Sequence, residues 1–252
     1  MADDLDATIT ALEGIVDECA LRDERCGYFA AMYLAVTRAV RFRHGGGGFA
    51  DGEGMEQFVT AFADRYLDAY QCWRRGRCNV ESWSLAFDAA QRRPPIILQH
   101  LLLGMNAHIN FDLAATAAAL GRASGGIEPL ERDFMAINDV LASLVGACED
   151  VICEVSPWMK MGDRLASDLD ERMVSVALVI ARQQAWELAQ RLVLLDDDAL
   201  RAALDHADRT TTGIGRAMLD PGRWARCVRW VVRLRERAKP SEVIRLLSQV
   251  TP

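Results

Sequence analysis

A chain of 252 residues, half of them apolar and a quarter charged, is long enough to bury a sizeable core and has an ordinary globular composition. A net charge of −7 argues against a general nucleic-acid binder, whose phosphate contacts need a positive surface. The acidic start, Met1-Ala2-Asp3-Asp4, is not that of a signal peptide, and every apolar run stops well short of the roughly 20 residues that cross a bilayer.

Apolar residues recur at a period near 3.6 almost throughout, and clean alternation is absent, so the expected class is all-α. Leu5, Ile9, Leu12, Val16 and Cys19 mark a first helix, and Tyr28 to Phe42 a second. Glycines 45 to 48, with Gly52 and Gly54, read as a break before a third helix from Met55 to Trp73. A short helix is expected over Glu81 to Ala90. Pro94 to Leu120 reads as one long apolar helix, started by Pro94-Pro95 and stopped near Gly121, followed by a loop over Arg122–Gly126. Further helices are expected over Glu128–Cys153, Asp163–Leu195, Asp197–Ala207, Pro221–Ala238 and Ser241–Val250. Short connections favour a single all-α domain over 1–252, a multi-helix bundle around a central buried helix at about 95–120, with 210–252 as a candidate appendage.

The central helix carries Gln99, His100, Asn106, His108, Asn110 and Asp112 among apolar residues. Each polar group taken into a core costs on the order of 1–3 kcal/mol unless it finds a partner, so this segment builds either a site or a hydrogen-bond knot. His108 and Asp112 are four apart and share a helix face. The pair can ligate a divalent metal, act as an imidazole oriented by a carboxylate, or form a structural hydrogen bond. Gly104, one turn before His108, permits close approach of another group. Asn106 and Asn110 lie on the opposite flank, where bonding to neighbouring helices competes with ligand contact. Arg182, one turn before Trp186, suits either an anionic ligand group or a buried ion pair with Asp112 or Asp133. Asp133 and Asn138 are read the same two ways, as ligand contacts or as structural groups, with Asp133 also suited to a helix N-terminus.

Other features point away from chemistry. His44-Gly45-Gly46-Gly47-Gly48 looks like a lipase oxyanion loop, but the chain has no G-x-S-x-G elbow, so it is read as a flexible connection or lid. Asp51, just beyond, is a candidate further carboxylate ligand. Seven cysteines without a C-x-x-C pair indicate neither a disulfide framework nor a zinc ribbon, and a reducing cytoplasm is the expected setting. Arg223, Arg226, Arg229, Arg233 and Arg237 form a basic stripe, read as a solvated or intramolecular face in preference to a surface for an anionic partner or membrane.

Around Gly104-Met105-Asn106-Ala107-His108-Ile109-Asn110-Phe111-Asp112-Leu113 the chain resembles an uncharacterised, mainly actinobacterial family of unknown function with a G-M-N-A-H-I-N-x-D-L signature. The resemblance extends to Phe49-x-Asp51, Trp83, Phe87, Gln99-His100, Asp133-Phe134, Asn138 and Arg182 with Ala185-Trp186. It supports positions and implies no reaction. The His-x-x-x-Asp spacing is also similar to that of the all-α zinc-dependent phospholipase C and P1-type nucleases, which implies His108, Asp112 and Asp51 as ligands. Four histidines, with only His206 after Asp112, limit that analogy to one metal at most.

The expected function is therefore a small-molecule-transforming enzyme with a polar pocket centred on His108 and Asp112. Asn106, Asn110, Arg182, Trp186 and His100 would contact the substrate. The reaction would be hydrolytic or lyase-type, through one zinc, iron or manganese ion or through His108 as acid–base. The alternative is a non-enzymatic helical ligand-binding or interaction protein whose polar cluster fixes helix register.

Overall fold

The structure, a computed structural model, describes residues 3–156, 159–220, 222, 230–234 and 236–251, and their side chains except those of 3 and 159–175. The described residues form helices and no strand: α1 (Asp3–Leu21), α2 (Gly27–Gly45), α3 (Gly52–Arg74), α4 (Glu81–Ala90) and α5 (Ile97–Ala107), then α6 (Leu113–Ser124), α7 (Glu128–Val155), α8 (Met159–Val193), α9 (Asp197–Leu219) and α10 (Pro240–Ser248). The protein is an all-α bundle, as its periodicity predicts. No helix among the described residues is long and apolar enough to cross a membrane.

The central helix departs from expectation in one informative way. Between α5 and α6, residues His108–Asp112 form a π-helical turn. Such a turn inserts one residue into the helix and rotates the residues beyond it, and it is frequent at functional sites. Here it joins the two halves of the core. Ile97, Leu101, Leu103 and Ala107 belong to one cluster with α1, α2, α4 and α10. Leu113, Ala114, Ala117 and Ala118 belong to the other with α7 and α8. The extra residue lets a single helix present apolar faces to both.

The helix also starts later than Pro94. A residue before proline is barred from helical geometry, and the free N–H groups at Ile96 and Ile97 find partners that fix the start there. Ile96 N–H donates to Gln99 Oε1 at 3.2 Å, and Ile97 N–H donates to Glu236 at 3.1 Å. At the other end α6 runs through the expected loop to Ser124 and stops at Gly125, whose φ of +83° favours a residue without Cβ.

Buried carboxylates from distant elements satisfy helix starts elsewhere too. Asp208 on α9 accepts from the N–H groups of Glu81 (2.7 Å) and Ser82 (3.0 Å) at the head of α4. Asp133 on α7 accepts from Ala50 and Asp51 N–H, both at 2.7 Å, and so ties down the connection between α2 and α3. The glycine segment before Asp51 is thereby a pinned turn, with Gly47 at φ +70°, rather than a free lid.

α9 continues to Leu219, past the expected end at Ala207, because Thr211 and Thr212 are buried against the bundle and Thr212 Oγ1 bonds back to Asp208 O. α10 packs on α1 and α2 with Val243, Ile244 and Leu247 fully buried, so this C-terminal helix is part of the core rather than an appendage. Of the basic stripe, Arg223, Arg226 and Arg229 lie outside the described residues, while Arg233 faces Glu236 at 3.6 Å.

Candidate functional site

The residues that the sequence groups on one helix part company in three dimensions. His108 sits in an aromatic cage. Its ring stacks on Phe62 at 3.7 Å and 12°, meets Tyr33 edge-on at 4.4 Å, and has Phe29 at 5.5 Å. The imidazole Nδ1 lies 3.6 Å from Asp112 Oδ2, slightly beyond hydrogen-bond length, and Nε2 has no protein partner. Burial lowers the His108 pKa and outweighs the opposing pull of Asp112, so the ring is held neutral.

Asp112 is 1% exposed and doubly engaged. It accepts from Trp83 Nε1 at 2.7 Å and from Arg65 Nε at 3.1 Å, one bond on each carboxylate oxygen. Trp83 is buried, whereas Arg65 reaches in from a partly exposed position and lies over the Phe111 ring. Asp112 is thus a buried anion with its own cation, positioned behind His108.

In front of His108 is a cavity of about 570 Å³, within the range of small-molecule sites. Its wall is overwhelmingly apolar: Phe29, Met32, Val36 and Val40 from α2; Phe58, Val59 and Phe62 from α3; Leu98, Leu101, Leu102 and Met105 from α5; Ile137, Leu141, Leu144, Val145 and Ile152 from α7. His108 and Arg182 are the only expected site residues that line it. Sequence reasoning missed the hydroxyl of Tyr33, which lines the same cavity, is buried, and has no hydrogen-bond partner. Burial, and then the charge of Asp112, push its pKa well above 10, so it remains a neutral donor.

Arg182 does not make the expected ion pair with Asp112 or Asp133. Its Nε donates to Asn138 Oδ1 and its Nη2 to the Phe134 carbonyl, each at 2.6 Å, and the guanidinium lies 4.5 Å over the Phe134 ring. The group is 3% exposed, and burial lowers its pKa to about 10, still cationic near neutral pH. Trp186 packs on Phe134, ring centroids 4.8 Å apart, and does not line the cavity.

Asn106 and Asn110 bind neighbours rather than the cavity. Asn110 Nδ2 donates to Asn106 Oδ1 and Asn106 Nδ2 to the Thr211 carbonyl, both at 2.9 Å, which ties the π turn to α9. His100 occupies a separate small void beside Arg25, Cys26 and Trp83, edge-on to Tyr28.

Asp51 does not join His108 and Asp112. Its carboxylate caps α3 by accepting from Gly54 N–H at 3.0 Å, and among the described residues no metal-sized group contains these three side chains. His108 and Asp112 are thus without a third ligating side chain beside them among the described residues, and each Asp112 oxygen already accepts one hydrogen bond. Among the described residues, the three side chains close enough to share an ion are Cys19, Glu24 and Cys26. There Glu24 is paired with Arg74 at 2.9 Å, Cys19 Sγ lies 3.5 Å from both Cys26 Sγ and Tyr70 Oη, and the Cys26 thiol is pushed up, mainly by its bond with Cys19. This is a buried thiol pair whose nearest carboxylate is already neutralised.

The model of a family of unknown function, DUF5995, matches residues 5–221. The chain belongs to this family. Neither the curated proteins nor the solved structures give a match. The DUF5995 region takes in the whole central helix, the cavity wall and Arg182, so the site lies within the family's shared span.

His100 gives a test of the electrostatics that is independent of ligand. Its pKa falls from an ordinary 6.5 to about 4, first through burial and then through Arg25 and Arg233. The unfolded chain takes up a proton near pH 6.5 while the folded one resists until about pH 4, so stability is whole above pH 6.5 and declines as pH falls toward 4. The decline attributable to His100 is about 3 kcal/mol. Urea unfolding between pH 4 and pH 7 should show a smaller decline for His100→Gln than for the unsubstituted chain.

Proposed function

We propose that this DUF5995 protein binds one predominantly apolar small molecule in the cavity and acts on it through His108. The observation that carries this is that two polar atoms without a protein partner, His108 Nε2 and Tyr33 Oη, belong to adjacent side chains that line a predominantly apolar cavity. Buried polar atoms are almost always hydrogen-bonded, and a ligand group placed between these two would complete them. A neutral imidazole with Nδ1 turned to Asp112 is set to accept a proton at Nε2, and the carboxylate stabilises the imidazolium so formed. Tyr33 can donate to an oxygen on the same molecule.

The site is an apolar cavity with a polar end, not the polar pocket that the central helix suggests. Asn106, Asn110, Trp186 and His100 serve the frame around it, and acid–base chemistry at His108 is the version of the reaction that the donor set favours. A second reading, binding without turnover, draws on the 3.6 Å gap between Nδ1 and Asp112 and on the stacked ring of Phe62. Both features also suit a histidine that merely recognises a ligand.

Two measurements separate them. Titration with Nile red, an uncharged apolar dye, should show one site per chain, abolished by the cavity-filling Leu141→Trp with the helical circular-dichroism signal intact. Native mass spectrometry of the purified full chain should identify the bound molecule, which is then incubated with wild type and His108→Gln. Conversion by wild type alone supports catalysis; retention unchanged by both supports binding only; no dye site removes the cavity reading.

A further inference from the structure

The cavity is lined by a cation that no described side chain neutralises. Arg182 is 3% exposed and lines the cavity, yet among the described residues no carboxylate lies within ion-pair distance of it. Its two hydrogen-bond partners, the Asn138 amide oxygen and the Phe134 carbonyl, are neutral. A buried guanidinium without a counter-ion is expensive to keep. The two bonds and the Phe134 ring fix its plane, and Nη1 has no protein partner among the described residues. An immobilised guanidinium with an unused edge is the geometry that recognises a carboxylate.

The shape of the remainder specifies the rest of the ligand. Along α7 the lining runs from Ile137 to Cys153, about 24 Å of helix, whereas a sphere of 570 Å³ would be only about 10 Å across. The space is elongated and its walls are aliphatic and aromatic. The acidic side chains near it leave the Arg182 end open to an anion. Asp112 is neutralised by Arg65, and Glu149 lies eleven residues along α7 from Asn138, about 16 Å away.

Building on the proposed cavity function, we infer that the ligand is an amphipathic carboxylate of the fatty-acid class, its head group on Arg182 and its acyl chain along α2, α5 and α7. His108 and Tyr33 then face a polar substituent on the chain rather than the carboxylate.

Calorimetric titration of the full chain with dodecanoate, dodecan-1-ol and dodecyltrimethylammonium, the two ions below their micellar concentrations and the alcohol below its solubility limit, tests this. Wild type should bind dodecanoate about ten-fold or more tighter than the alcohol, and the cation weakest. Arg182→Met should bind the alcohol at least as well as wild type does and lose the preference for the acid. Equal affinity of wild type for all three would overturn the carboxylate assignment while leaving the apolar cavity standing. Failure of all three with Nile red still bound would overturn the acyl-chain assignment, and failure of Nile red as well would bring down the cavity reading beneath it. The wild-type comparison stands alone should the Met variant not fold.

Discussion

Gly104→Ala is expected to destabilise the protein by about 2 kcal/mol, although the same change in an exposed helix would stabilise it by about 1 kcal/mol. A Cβ at position 104 would lie 2.5 Å from both Cγ and Cδ2 of Phe29 and 2.8 Å from its Cβ. Phe29 has nowhere to go. Its ring is bounded by Tyr33 at 5.7 Å, Tyr66 at 5.2 Å, Trp83 at 5.3 Å and His108 at 5.5 Å. The overpacking strain therefore exceeds the gain in helix propensity. For a chain of this length the loss corresponds to a fall in Tm of roughly 4–8 °C by differential scanning calorimetry. Because Phe29 is part of both the cage around His108 and the cavity wall, Nile red affinity should fall with it. A variant as stable as wild type would mean that α2 and α5 are not packed this closely.

Gly104 also shows how far sequence reasoning reaches. A glycine in an apolar helix, one turn before a histidine, signals close approach, and the approach is there; which ring comes close depends on Phe29 of α2, more than seventy residues away in the chain. Helix number and type follow from local periodicity and are legible throughout. Helix ends are less so, because several are set from a distance: Glu236 fixes the start of α5, Asp208 that of α4, and Asp133 the turn before α3. Asp133 lies where a carboxylate suits the start of its own helix, yet its oxygens serve the N–H groups of residues more than eighty positions away. The candidate site divides the same way. His108 and Asp112 are found by spacing alone. Tyr33 and the apolar wall are not, since a tyrosine on an aromatic helix face looks like core until the cavity beside it is seen. Nor does spacing reveal that Arg182 has neutral partners, which is the fact that gives it meaning.

Asp112→Ala is expected to cost about 3 kcal/mol, and Asp112→Asn about half as much. The alanine variant leaves the buried Trp83 indole N–H without an acceptor and opens a void in the core, the first effect alone being worth about 1–3 kcal/mol. The loss stays at the lower end of the roughly 3–5 kcal/mol typical of a broken buried pair because Arg65, about one-third exposed, can return its charge to water. Asparagine keeps an oxygen for Trp83 and forfeits only the charge. In urea unfolding, Trp83→Phe combined with Asp112→Ala should be less destabilising than the sum of the two single changes, since the orphaned donor goes with the tryptophan. On the proposed acid–base reading, the pH dependence of turnover tests a second role for the carboxylate. The charge of Asp112 raises the pKa of His108 against the dominant effect of burial. Removing that charge in Asp112→Asn therefore lowers the pKa further, so the acid limb of the pH–rate profile should move to lower pH while the rate itself falls as the base weakens. A frame-only Asp112 would change the melting temperature and leave that limb in place.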